Sequence, residues 1–327
     1  MGTEPLTERH CFHTDRVPEP AGRHPRGAAT GHGAPRVSRR GRRCPAVLAC
    51  VAALLMLLGC AANPAPQPAP AAGSQAADPS QSEKDEIFAL LAYAVVQRQW
   101  QEAGAQDSRG YNIGSVLVDK NSCVVYWGLN SVNLAKNKTQ HGEVRLMTCY
   151  LDLNREAGHP LPGASLKDYS IYTTLEPCAM CSGMMVLQSV KRTVYGQKDP
   201  SFGDALERLA FDGEHCGGYP PYPRPVQSVA STLALRDRLD TLFKEYCAKA
   251  GSNCSITDFL TTPAAKQVYD DAVAALSSYQ PRFPGNRPVL AAAQRFFAGT
   301  SRVTPQVTCP ELPEPSCPLA VPLPPGP

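Results

Sequence analysis

Two short stretches constrain this chain more than anything else in it: His141-Gly142-Glu143, and Thr173-Thr174-Leu175-Glu176-Pro177-Cys178-Ala179-Met180-Cys181. One imidazole and two thiolates are three of the four ligands that a tetrahedral Zn²⁺ takes, and the corner they leave open for water is the arrangement of a catalytic site rather than a structural one. Cys178 and Cys181 stand at i and i+3, so a helix begun by Pro177 sets both sulfurs on one face of its first turn. The positive helix end and a metal both favour thiolate. His141 and Glu143 are roughly 200° apart around an ideal helix, so both face one metal only if His141 sits at the very start of its helix. Glu143 is then a carboxylate beside the zinc water that is not needed as a ligand, and it is placed to move a proton. A Cys-x-x-Cys pair alone marks structural zinc, a redox pair or two core cysteines more often than catalysis. Here it follows a proline and an apolar strand-like run, a few tens of residues after a His-x-Glu that opens an apolar helix.

The ends of the chain differ from its middle. Residues 1–36 are polar, rich in Arg, Pro, Gly and His, and read as an unstructured extension, or as lying upstream of a start at Val37. Residues 37–59 read as a signal peptide: Arg39, Arg40, Arg42 and Arg43 precede an apolar core from Ala46 to Leu58. Leu57-Leu58-Gly59-Cys60 resembles the lipobox of bacterial lipoproteins, which implies lipidation of Cys60; an uncleaved membrane anchor is the rival reading, but the core is short of the roughly 20 residues that a spanning helix needs. From residue 60 to 81 the composition is Ala, Pro, Gln, Ser and Gly, a solvated tether. The overall charge of +3 comes from the leading segment: from Cys60 onward 23 Lys plus Arg face 25 Asp plus Glu, so the body is near neutral and poorly suited to holding phosphates.

The domain is expected over 82–280. Ser82 with Asp85 reads as a helix-capping pair, and Ile87, Phe88, Leu91, Ala94 and Val95 then recur at helical spacing, giving one buried face. Ile113–Asp119 and Cys123–Gly128 read as a hairpin, Leu129–Gln140 as a polar loop, Gly142–Asn154 as a helix burying Val144, Met147 and Leu151, Ile171–Thr174 as a third strand and Arg192–Gly196 as a fourth. Such alternation implies an α/β fold of three layers, α/β/α, with a mixed central sheet and helices on both faces. Residues 204–230 hold an irregular insertion, a surface loop or a lid. Thr232–Ala250 and Thr262–Tyr279 read as amphipathic helices, and 281–327 as a C-terminal extension with a Pro-rich tail.

Tyr111 to Gly203 resembles the cytidine/deoxycytidylate deaminase superfamily, in particular the branch of tRNA adenosine deaminases, guanine deaminases and fungal cytosine deaminases. Gly114 to Asp119, Asn130, His141-Gly142-Glu143, the run from Thr173 to Met185 and Arg192-Thr193-Val194-Tyr195-Gly196 carry the resemblance, in the family's order. It implies zinc held by His141, Cys178 and Cys181, proton shuttling by Glu143, substrate contact by Asn130, release of ammonia from an amino-bearing ring carbon, and homodimerisation. Asp258-Phe259-Leu260 resembles the aromatic-bearing helix that closes over substrate in the tRNA deaminases. Glu176 and Gln197-Lys198-Asp199 lean towards the tRNA deaminases; Gly142 and Tyr172-Thr173-Thr174 lean towards the fungal cytosine deaminases. An exported, near-neutral chain favours a free nucleobase or nucleoside in a bacterial envelope over tRNA or single-stranded nucleic acid. The alternative from another class is a zinc-containing binding protein without turnover, against which the retained Glu143 argues.

Seven cysteines besides Cys60, Cys178 and Cys181 lie in the exported part. In an oxidising compartment they pair, with Cys309–Cys317 and Cys247–Cys254 as the shortest loops and Cys149 as a buried thiol.

Overall fold

β1 (Gly114–Val118) and β2 (Val124–Leu129) form the expected hairpin. Asp119 turns it: its Oδ1 accepts from the backbone N–H groups of Asn121 at 2.9 Å and Cys123 at 2.8 Å. β1 also pairs antiparallel with β3 (Ser170–Leu175), which runs parallel to β4 (Arg192–Gln197), which runs parallel to β5 (Gln227–Ala230). The sheet is therefore mixed, in the order β2-β1-β3-β4-β5. This is a computed structural model, and it describes residues 78–104, 108–209, 226–300 and 308–318. The extension, signal peptide, tether and Cys60 lie outside the described residues, as do 210–225 of the expected insertion. Among the described residues no helix is long and apolar enough to cross a membrane.

Helices cover both faces, so the fold is the expected three-layer α/β/α. Side-chain alternation along a strand divides the sheet between two cores. Val116, Val118, Tyr172 and Val194 enter one core with α1 (Pro79–Arg98), α5 (Ala234–Ala250), α7 (Pro263–Ser278) and α8 (Arg287–Gly299). Leu117 and Ile171 enter the other with α2 (Gly142–Glu156) and α3 (Ala179–Leu187). Two short α-helices, α4 (Ala205–Leu209) and α6 (Ile256–Phe259), are also present among the described residues.

Several expectations are corrected. The first helix starts before Ser82: Asp78 is the N-cap, its carboxylate accepting from Ser80 N at 3.0 Å, and Pro79 takes the first turn, where its missing N–H costs nothing. Nor is one face of α1 buried but its whole circumference from Ile87 to Val96, because α7 and α8 pack on the side away from the sheet. Asp85, instead of capping, lies in the sheet-facing layer, where it accepts from Tyr172 Oη at 2.9 Å and pairs with Arg192 at 2.6 Å. Within the expected C-terminal extension, α8 packs on α1 and β2. Phe259 and Leu260, each 1 % exposed, lie in the α1 core, Phe259 against Phe243 and Tyr246, and so do not close over a site.

The cysteines pair differently from expectation. Cys247–Cys254 forms, but Cys309 and Cys317 reach across to Cys149 and Cys123. Cys149 is thus no free thiol. The segment carrying Cys309 and Cys317 runs along the outer edge of the sheet, where Ser316 exchanges backbone hydrogen bonds of 3.0 and 2.9 Å with Val124, and Tyr126 Oη donates to Pro310 O at 2.7 Å.

Candidate metal centre

Two helix starts meet at the site. His141 is the N-cap of α2, with extended backbone (φ −70°, ψ 158°), which frees it from the helical 200° offset and lets it face the same point as Glu143. Cys178 is the N-cap of α3 (φ −72°, ψ 172°), two residues later than the cap of a helix begun by Pro177, and Cys181 follows in the first turn. Pro177 therefore stands outside the helix. It delivers the chain from β3, where Pro cannot extend the pairing, to the cap.

The three donors are mutually placed: His141 Nδ1 lies 3.7 Å from Cys178 Sγ and 3.6 Å from Cys181 Sγ, and the sulfurs are 3.7 Å apart. A tetrahedral zinc with usual bond lengths requires sulfurs about 3.75 Å apart and a nitrogen about 3.55 Å from each. The donor set fits zinc. Its electrostatics fit as well: the hydrogen bond from Cys181, with His141 adding to it, lowers the Cys178 thiol to about 4, whereas the bond to Cys178, burial and Glu143 push Cys181 well up. Two thiolates need more positive charge than His141 supplies, and a divalent cation provides it.

Glu143, 3 % exposed, sits beside this set with Oε2 3.6 Å from Cys181 Sγ. Its other oxygen accepts from Thr173 Oγ1 on β3 at 3.2 Å. Burial raises its carboxyl above the usual carboxylate range, the direction that suits a group meant to carry a proton. Thr173 lay inside the motif, but its hold on Glu143 is a contact between strand β3 and helix α2 with no sequence signal.

Asn130 is brought to the same end of the sheet, at the close of β2. Its backbone N donates to Ile113 O at 3.0 Å, and the loop after it closes where Ser131 N meets Gln140 O at 2.8 Å, one residue before His141. The Asn130 Oδ1 accepts from the N–H groups of Tyr111 at 3.2 Å and Val132 at 3.3 Å. Glu176, buried before Pro177, accepts from Asp199 N at 3.1 Å and Asp204 N at 3.0 Å and so braces the turn that follows β4. Cys60 lies outside the described residues.

The profile described as "Cytidine and deoxycytidylate deaminase zinc-binding region" matches residues 82–197. A tRNA-specific adenosine deaminase of Rickettsia felis is 30% identical over 135 residues, 41% of this chain and 89% of that protein. A cytosine deaminase of Candida albicans is 36% identical over 103 residues, 32% of this chain and 62% of that protein. Among solved structures, a guanine deaminase from Nitrosomonas europaea aligns at 18% identity with a TM-score of 0.30, over 52% of this chain and 85% of that one. Common descent accounts for a match that spans nearly all of a relative, and the chain belongs to the cytidine and deoxycytidylate deaminase family, whose members are hydrolytic deaminases with a zinc-binding region.

Proposed function

We propose that this protein is a zinc-dependent deaminase of a free nucleobase or nucleoside, held by a lipid on Cys60 at the outer side of a bacterial membrane. The observation that carries the reading is the buried Glu143 carboxylate, oriented by Thr173 and placed beside three donors that need no fourth protein ligand. His141, Cys178 and Cys181 would hold the metal, which when bound would supply water acidified to a pKa of about 7. As the water oxygen bonds to the amino-bearing ring carbon, Glu143 takes one of its protons and gives it to the ring nitrogen. It then takes the second proton, from the hydroxyl now on that carbon, and gives it to the amine, which leaves as ammonia as the C–N bond breaks and the ring carbonyl forms. Asn130 presents its amide to the base. A silent zinc-binding module has no use for this carboxylate.

The substrate reading rests on the near-neutral body, which offers few cations to phosphates. The relatives named for cytosine and for tRNA adenosine make cytosine-type and adenine-type rings the first to test, and the tRNA-specific relative favours a second reading, action on tRNA or single-stranded nucleic acid. The envelope reading draws support from the signal-like residues 37–59, from Cys60 and from the disulfides. Ammonia release by the zinc-loaded protein against adenine, guanine, cytosine, their nucleosides, and tRNA or single-stranded oligonucleotides tests the function, with Glu143→Gln as control. One small substrate is expected to turn over, about 10²- to 10⁴-fold slower in the variant with zinc retained. Turnover of nucleic acid alone installs the second reading. A diacylglyceryl mass on Cys60 tests the anchor.

A further inference from the structure

We propose that Arg109 is a positioning residue that fixes the orientation of Asn130, so that the substrate base must present a hydrogen-bond acceptor to Asn130 Nδ2. The inference rests on Asn130 contacting the base, as read above. Arg109 is 6 % exposed, its Nη1 donates to the Asn130 carbonyl, and its Nη2 is buried with no acceptor. No carboxylate pairs with it among the described residues, and Arg145 lies close enough to add to burial in weakening its charge.

A buried guanidinium with an unused donor and no counter-ion costs stability, and an apolar side chain of like length in its place does not. Arg109 is therefore not explained by folding. What it holds explains it. Its side chain grips Asn130 and its own carbonyl accepts from Leu134 N at 3.0 Å, so one residue ties both ends of the first turn of the loop that leads to His141. The next residue, Gly110, lets Asn130 lie flush: a Cβ there would stand 2.3 Å from Asn130 Oδ1 and 2.8 Å from its carbonyl oxygen. With Oδ1 taken by Tyr111 N and Val132 N, the amide has one orientation, and Nδ2 is left as a donor without an acceptor among the described residues. A ring carbonyl oxygen or unprotonated ring nitrogen satisfies it; a protonated ring nitrogen meets it donor to donor and is rejected.

The test compares wild type, Arg109→Met and Arg109→Lys as zinc-loaded full-length proteins, reading zinc stoichiometry, melting temperature, amide hydrogen exchange at Tyr111 and Val132, and kcat and KM on the substrate found above. Arg109→Met is expected to keep its zinc and to melt no lower than wild type, to exchange both amides about tenfold faster, and to raise KM about tenfold with kcat little changed, as loss of a ground-state contact does. Arg109→Lys, which keeps a donor in reach, is expected to recover part of the KM. Unchanged exchange, or losses that follow zinc or melting temperature, overturn the inference. Wild type inactive on every substrate instead overturns the functional reading, and exchange then still decides whether Arg109 positions Asn130.

Discussion

At the scale of the residue, the arrangement around Glu143 is asymmetric. One oxygen is tied to Thr173 and the other is directed at the metal donors, so rotation of the carboxylate is restrained while one oxygen stays available for proton transfer. Thr173→Val keeps the shape and removes the hydroxyl. We expect kcat to fall about tenfold, the worth of one hydrogen bond to a charged group, with zinc stoichiometry unchanged; steady-state kinetics and metal analysis check both. The same residue scale shows what the motif carried by itself. His141, Cys178 and Cys181 were legible because metal ligation needs particular atoms at particular spacings, whereas Thr173 and Arg109 act through contacts between distant segments and leave no pattern in the chain.

At the scale of the element, the position of α2 against the hairpin sets the position of His141. Gly128 on β2 allows it: a Cβ there would stand 2.3 Å from Gly142 O and 2.7 Å from Leu146 Cβ. Gly128→Ala is expected to push the start of α2 outward and to lower melting temperature and zinc affinity together, read by thermal unfolding and competition with a chelator. On the other face, Glu83 of α1 secures the turn before α8, accepting from Asn286 Nδ2 at 2.8 Å and from the N–H groups of Arg282 at 2.5 Å and Phe283 at 3.2 Å. Burial pushes its carboxyl up, but these bonds outweigh it, and the net direction is down. A carboxyl lowered in the folded state stabilises fully above its unfolded value, about pH 4.3, and the contribution is lost as pH falls through the lower folded value. Melting curves of wild type and Glu83→Gln should therefore differ by several degrees at neutral pH and converge below that range.

At the scale of the whole molecule, the edge segment 308–318 is fastened by two disulfides that span 160 and 194 residues. It supplies a backbone partner to β2, whose free edge would otherwise be open to pairing with other chains. Each disulfide restrains the unfolded chain, but once one has closed the long loop the other closes only a short one, so their effects are less than additive. Breaking both by Cys149→Ser with Cys123→Ser is expected to cost about 2–5 kcal/mol, and either single change less, as measured by denaturant unfolding.

The sequence alone determined the hairpin, the two site helices, the alternation that makes three layers, and the donor set with its carboxylate, because each is written in local periodicity or in fixed spacing. Only the tertiary structure decided the rest. The burial of α1 on all sides depends on helices nearly two hundred residues away, Phe259 became core because α5 stands opposite it, and β5 is too short and too exposed to announce itself. The pairing of Cys149 with Cys309 and of Cys123 with Cys317 was set by where the folded chain lays its last segment, not by the shortest loop. Loop entropy favours near neighbours only weakly, since its cost grows with the logarithm of length, and a few backbone and side-chain contacts along β2 are enough to overrule it.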